Sequence, residues 1–348
     1  MTSPIKIAII GYGGIARQHN SAYAKLAYEG APVKLVAVCD KYADSFRKVT
    51  NINIGSDTAP LPDDVHLYTD IDKLIAEEDF DAADVCLPSH LHADVSIRLL
   101  KAGKHVLCEK PMALDSASSS AMLDAMEKSG KCLLVGHCLR YDPAYIYLKE
   151  CIADERFGKL TGLSMCRHSI YPNWGTDRWH DDKQKCGGCI IDTHIHDIDA
   201  ACFLLGEPDS LSAVAFEKMP LYQWVNTRMT FGDVTVVADG SWDISFTEVF
   251  RADYRARFER AAVSFDFKTV NVFTDDGQVY SPDIPDEDRI VGEIRAFIGY
   301  VSGGDFASCR DAAVSAHRSL ALCEAIERSA AGGGETVILP LNNTLERN

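Results

Sequence analysis

Ile5-Lys6-Ile7-Ala8-Ile9-Ile10-Gly11-Tyr12-Gly13-Gly14-Ile15-Ala16 is the stretch on which the fold turns. Residues 5–10 are almost unbroken apolar and read as a buried strand. A helical pattern follows from about Ile15 to Leu26. Between them lies G-x-G-x-x-A. The first glycine of such a loop permits a tight turn, and the second lets the backbone approach a pyrophosphate. The small sixth residue lets the helix lie close on the strand. Amide groups at the helix start then face the phosphates. Gly11, Gly13, Gly14, Ile15 and Ala16 are therefore candidates for holding a dinucleotide. A purely structural turn is the alternative, since the glycine pattern alone is weak. Its place between a strand and a helix strengthens it.

Outward from this loop the chain alternates. Strands are predicted at 33–39, 83–87, 105–108 and 132–135, and helices at 70–78, 91–102 and 115–129, the last capped by Asp115 or Ser116. Apolar strands alternating with helices specify a parallel sheet covered on both faces, and right-handed crossovers make it doubly wound. The second strand ends in Cys39-Asp40-Lys41. A carboxylate there accepts both adenosine-ribose hydroxyls and repels a 2′-phosphate, so Asp40 favours NAD, with Lys41 leaving room for NADP. A helix-capping role for Asp40 is the competing reading.

After about Gly136 the pattern changes. A helix at 143–151 leads into strand-like runs at 162–168, 211–216, 227–231, 234–238 and 258–267, several alternating with period two. They predict an open, mostly antiparallel sheet with one face free. Helices near 286–302 and 310–331 close the chain. The expected division is a Rossmann domain at 1–136 and an α+β domain at 137–348 for substrate binding and oligomerisation.

Composition narrows the function. The 348 residues are 47% apolar and 25% charged, which excludes disorder as the main state. A net charge of −16 argues against nucleic acid and anionic membranes as partners. No apolar run approaches the ~20 residues of a membrane span, and no signal peptide is legible. Twelve scattered cysteines, several inside apolar strands, suit a reducing cytoplasm. Cys186-Gly187-Gly188-Cys189 lacks the second pair a zinc site needs, so no metal is expected.

Two segments offer chemistry. Lys110, in Cys108-Glu109-Lys110-Pro111, follows a strand whose carboxyl end lies where such sheets bind ligands. Taken alone, a lysine at a strand end is more often a surface charge. Asp192 and His196 stand four apart, so a helix would place them on one face, where the carboxylate can orient the imidazole. A solvated pair is the bland alternative. Tyr171, Trp174, Arg178, Trp179 and His180 crowd one polar segment and suit a sugar ring, or simply pack their own loop. Trp224 and Trp242 read as core or interface.

With these residues in view, the chain resembles the glucose–fructose oxidoreductase/inositol dehydrogenase (Gfo/Idh/MocA) family. The resemblance rests on the Gly11–Ala16 loop with His19, Leu87-Pro88-Ser89 with His92, Glu109-Lys110-Pro111, Val135-Gly136-His137 leading to Arg140-Tyr141, and Gly187-Gly188 with Asp192 and His196. It covers nearly the whole chain. It implies Lys110, Asp192 and His196 as the catalytic set, with His196 taking a hydroxyl proton, Lys110 hydrogen-bonding the reacting oxygen and Asp192 positioning substrate or base. Pro88, His92, Glu109 and Lys110 join the cofactor side, and Arg140, Tyr171, Trp174, Arg178, Trp179 and His194 the substrate side. His194 stands where the family commonly has glycine, which bears on substrate shape.

The expectation is a cytoplasmic NAD(P)-dependent dehydrogenase of a sugar, polyol or inositol-like secondary hydroxyl, assembled as a homodimer or homotetramer. Three alternatives remain: redox-neutral glycoside processing with retained NAD, reduction of an unsaturated or imine bond, and a non-catalytic cofactor-binding regulator.

Overall fold

Apolar runs that bury both faces pair as the interior strands of the first sheet. The computed structural model describes residues 3–46, 59–173, 175–218, 222–243 and 250–340. Strands β1 (Ile5–Ile10), β2 (Val33–Cys39), β3 (His66–Tyr68), β4 (Ala82–Val85), β5 (His105–Glu109) and β6 (Leu133–Gly136) form a parallel sheet in the order 3-2-1-4-5-6. This is the expected doubly wound order, and it reverses between β1 and β4. Helices α1 (Gly14–Tyr28), α2 (Ile71–Glu77), α3 (His92–Lys101) and α4 (Ser116–Ser129) make the crossovers. Asp70 and Asp115 cap α2 and α4 by accepting from first-turn amides.

The second sheet has nine strands. They are β7 (Leu160–Ser169), β8 (Ser210–Lys218), β9 (Tyr222–Phe231), β10 (Val234–Trp242), β11 (Arg251–Phe258), β12 (Ala261–Phe265), β13 (Val270–Thr274), β14 (Val279–Tyr280) and β15 (Val337–Ile338). Their order is 14-13-12-11-7-10-9-8-15, antiparallel except for the parallel β7/β10 pair. The run 258–267, expected as one strand, is a hairpin. Glu259 and Arg260 turn the chain, so inward positions pass from Ala256 and Phe258 to Val263 and Phe265. The turn carries no glycine or proline. Its amides are instead taken by the carbonyls of Lys159 and Phe157.

Helices α5 (Pro143–Ala153), α6 (Lys183–Cys186), α7 (Ile195–Leu205), α8 (Arg289–Gly303) and α9 (Phe306–Ala331) complete the chain. Contacts divide it into one unit of Met1–Cys138, Asn173–Cys186 and Glu287–Leu320 and another of Leu139–Pro172, Gly187–Asp286 and Ala321–Asn348. A single cut at residue 136 would place α8 with the second sheet. Instead Ile290, Val291, Ile294, Phe297 and Ile298 share one face of α8 and pack with Tyr23 and Leu26 of α1, so α8 belongs with the first.

In the second unit, two buried arginines anchor α7. Arg167 on β7 donates to both oxygens of Asp197, at 3.2 and 2.9 Å, with side chains 4% and 0% exposed. Arg140 donates to both oxygens of Asp199, at 2.9 and 2.6 Å. Burial alone would lower the Arg140 pKa; Asp199 outweighs it and holds the guanidinium charged. Replacing one partner strands a buried charge. Arg167→Met is expected to cost about 3–5 kcal/mol, read as a lower urea midpoint in equilibrium unfolding. A loss below ~1 kcal/mol would show that the pair does not anchor α7.

Candidate functional site

In the first unit, chain geometry explains each glycine-loop residue. Gly11 has φ +85°, and its amide donates to the Cys39 carbonyl at 2.7 Å. A Cβ there would stand 2.5 Å from the Cys86 carbonyl oxygen, so only glycine lets the loop cross the end of β4. Gly13 caps α1, Gly14 and Ile15 begin it, and Ala16 is buried. The first turn of α1 carries no acidic side chain and Gly13 supplies no side-chain cap, the kind of helix start that suits an anion. Asp40, at the end of β2, accepts from the Tyr12 amide through Oδ2 and the Tyr42 amide through Oδ1, both at 2.8 Å. This carboxylate is partly exposed and aimed by the loop itself. A close-approach cradle, a bare helix start and a fixed acceptor match the phosphate and ribose groups of NAD.

Behind the loop lies a buried polar network. His19 on α1 bonds Asp84 on β4 through Nδ1 at 2.8 Å and Glu109 on β5 through Nε2 at 3.1 Å. Burial works against charge on the ring, but Asp84 and its neighbours outweigh it and push the pKa well up, so His19 is held protonated. Glu109 also accepts from the Lys110 amide at 3.0 Å, which ties the network to the Lys110-Pro111 corner, a cis peptide. Lys110 itself is partly exposed. Pro88 is partly exposed at the start of a short 3₁₀ turn. His92, expected on the cofactor, is buried, and its nitrogens lie 2.7 Å from the Pro111 and Leu87 carbonyls. It staples the loops after β4 and β5 together. Asp84 was missed from sequence. Its signal is a carboxylate inside the apolar run Ala82-Ala83-Asp84-Val85.

In the second unit, Gly187 and Gly188 take positive φ. A Cβ on Gly187 would meet Ile191 at 2.6 Å, so glycine lets the chain fold back on the next turn. Residues 190–194 then form a π-helical turn, in which the Ile195 amide donates to the Ile190 carbonyl, and α7 continues it. Wide turns of this kind are rare and frequent at functional sites. From Cys186 to Ala201 every residue is buried except Asp192 and His196. Helical geometry therefore turns these two polar side chains to one accessible face.

The proposed substrate residues fare differently. His194 is fully buried, with Nε2 bonded to Thr227 Oγ1 at 2.9 Å. Its ring fits because β10 has Gly240 opposite, where a Cβ would stand 2.7 Å from Nδ1. The bulky residue thus points into the second unit's core. Arg140 is held in its buried pair with Asp199. Tyr171 is buried edge-on against Trp242, ring centres 5.7 Å apart. Trp242 is core, whereas Trp224 is 37% exposed. Arg178 and Trp179 group with the first unit, Arg178 exposed and paired with Asp181, Trp179 stacked on His180. Asp177 of that segment meets Lys41 and Tyr42, beside Asp40. Trp174 lies outside the described residues.

Comparison with known proteins fits both halves. Residues 5–137 match the oxidoreductase family with an NAD-binding Rossmann fold, and residues 145–263 match the GFO/IDH/MocA C-terminal domain. The chain belongs to the Gfo/Idh/MocA family, and its N-terminal part is an NAD-binding Rossmann domain. It is 31% identical to inositol 2-dehydrogenase of Rhizobium meliloti over 61% of this chain and 58% of that one. With D-glucoside 3-dehydrogenase of Escherichia coli the identity is 28%, over 70% and 63%. The chain thus spans less than two thirds of these relatives. Aldose-aldose oxidoreductase from Caulobacter crescentus has the same fold, with TM-score 0.79 at 21% identity over 97% of this chain and 100% of that one. Among the described residues no helix is long and apolar enough to cross a membrane.

Two outcomes follow. Asp40→Ala is expected to shift the ratio of NAD to NADP affinity about tenfold toward NADP by calorimetry, because a charge-assisted acceptor is lost. An unchanged ratio removes Asp40 from the ribose site. Burial lowers the His194 pKa from its usual 6.5 to about 3. The unfolded chain takes up a proton below pH 6.5 that the folded chain refuses. His194 therefore erodes stability as pH falls from 6.5 toward 3, by up to ~1.4 kcal/mol per pH unit. Urea unfolding between pH 7 and 5 checks this: His194→Gln should show the shallower decline, and parallel slopes would contradict it.

Proposed function

We propose that this protein is an NAD-dependent dehydrogenase that oxidises a secondary hydroxyl of a sugar, polyol or inositol-like molecule. The observation that carries the reading is the partial exposure of Asp192, inside a π turn, and of His196, just after it, in an otherwise buried stretch. A solvated surface pair has no need of such a frame, whereas a base that must meet a substrate oxygen does. In this reading His196 takes the hydroxyl proton and Asp192 orients the substrate or the imidazole. Lys110 hydrogen-bonds the oxygen on which charge develops. Bound NAD supplies the acceptor for the hydride leaving the same carbon. Names of the relatives, an inositol and a glucoside dehydrogenase, support a ring hydroxyl as the target. The reading includes a homo-oligomer formed through the outward face of the nine-stranded sheet, where Val214, Phe216 and Trp224 are exposed.

The test follows nicotinamide absorbance with inositols, aldoses, sugar acids and simple glycosides. One substrate class should reduce NAD. Lys110→Ala and His196→Ala should each lower kcat about 10²–10⁴-fold while NAD still binds. Normal turnover in both variants overturns the assignment. Silence across the panel, with NAD released on denaturation, would point to redox-neutral glycoside chemistry.

A further inference from the structure

Among the described residues three groups bring metal-ligating atoms within 4.8 Å of one another. Two share His19, whose ring nitrogens are already committed to Asp84 and Glu109 inside the first unit. The third, Cys166 with His168 and Asp239, lies on the outward face of the nine-stranded sheet. We propose that Cys166, His168 and Asp239 form a binding site for a borderline-soft divalent cation of the zinc type.

Strand register builds this site. In the parallel β7/β10 pair Cys166 lies opposite Asp239, so both side chains leave the same face side by side. His168, two residues along β7, shares that face. Met165, Arg167 and Ser169, which alternate with them along β7, point inward and are buried. Cys166 Sγ lies 3.4 Å from His168 Nε2, and His168 Nε2 lies 2.6 Å from Asp239 Oδ2. Zinc bonds of about 2.0–2.3 Å in a tetrahedron set ligands roughly 3.5 Å apart; Cys166 Sγ is also 3.6 Å from His168 Nδ1, so the sulfur stands over the ring and the imidazole must turn to aim Nε2 at a shared cation. The carboxylate needs to retreat by under ~1 Å as the cation replaces the hydrogen-bonding proton.

Asp239 is also held from behind. Its other oxygen, Oδ1, accepts from Trp224 Nε1 at 2.9 Å and from Asn226 Nδ2 at 3.0 Å. Asn226 faces Asp239 across the antiparallel β9/β10 pair. Two donors on one oxygen leave Oδ2 aimed at His168 and Cys166, the arrangement by which outer groups orient a ligating carboxylate. The donor set decides the metal class. Sulfur and imidazole exclude calcium and magnesium, which take oxygen ligands. A thiolate and a carboxylate with a neutral imidazole balance a 2+ charge. In the single chain, side-chain exposures of 24% for His168 and 27% for Asp239 leave a fourth coordination position open on this face. The sequence gives no hint, because Cys166-x-His168 is a single pair and Asp239 lies 71 residues beyond His168.

Zinc is titrated by calorimetry into the metal-free full-length protein, with no NAD or sugar present, so the result is independent of the proposed redox chemistry. Cobalt in place of zinc reports a thiolate ligand by its charge-transfer absorbance. One equivalent per chain is expected. Cys166→Ser and His168→Gln should each weaken binding more than about tenfold, and only Cys166→Ser should abolish the thiolate band. Cys138→Ser, altering another partly exposed cysteine, should bind like the parent. Thermal melts without metal identify any variant that fails to fold, and the remaining variant with the cobalt spectrum then decides. Failure to bind zinc, or equal binding by all three variants, overturns the proposal and leaves a hydrogen-bonded surface cluster.

Discussion

Arg167 meets Asp197 in a place where neither charge can reach water. Much of the second unit follows from that pair. Burying two ions is costly, and only bidentate geometry offsets the lost hydration, so the two elements carrying them have little freedom. Arg167 is the inward side chain of β7; Asp197 belongs to the first turn of α7. The pair therefore fixes helix to sheet one residue after His196, and Arg140 with Asp199 repeats the fixation two residues further on. His196 and Asp192 inherit their orientation from this frame. Because strands alternate, the same β7 that sends Arg167 inward presents Cys166 and His168 outward. One strand thereby serves the anchoring of α7 and a separate polar cluster.

The first unit solves a comparable problem at its glycine loop. Parallel strands packed on both sides leave ligands only the corner beyond their carboxyl ends. Gly11 clears the Cys86 carbonyl there, and Asp40 is aimed by the amides of Tyr12 and Tyr42. Beneath it the protonated His19 joins Asp84 to Glu109 and so links β4 to the Lys110 corner. His92 sits at that corner from the other side, its ring nitrogens each 2.7 Å from a carbonyl, of which the buried neutral ring donates to one. Residues that a family resemblance assigns to the cofactor, Glu109 and His92, thus spend their polar atoms on protein neighbours.

Legibility followed the range of the interactions. The doubly wound sheet was readable because unbroken apolar strands and Asp caps are local signals, as at Asp115 before α4. The Phe258–Phe267 hairpin was not, because its turn is stabilised by carbonyls a hundred residues earlier rather than by a glycine. His194 looked like a substrate residue because the sequence shows a bulky ring where a small one is common. Only β10, by supplying Gly240 across from it, shows that the ring is accommodated inside. The partners of Arg140 and Tyr171 were illegible for the same reason: polarity near a motif does not reveal a buried neighbour such as Asp199 or Trp242.

The sequence by itself determined the Rossmann half, its NAD-binding loop, the family, and the spacing of Asp192 and His196, since each depends on residues within a few positions of one another. Tertiary structure decided which polar residues remain available. It withdrew His92, Arg140 and His194 into buried bonds and brought Cys166, His168 and Asp239 together. Burial and cross-strand register join residues distant in the chain, and a carboxylate's role depends on the partner that folding delivers to it.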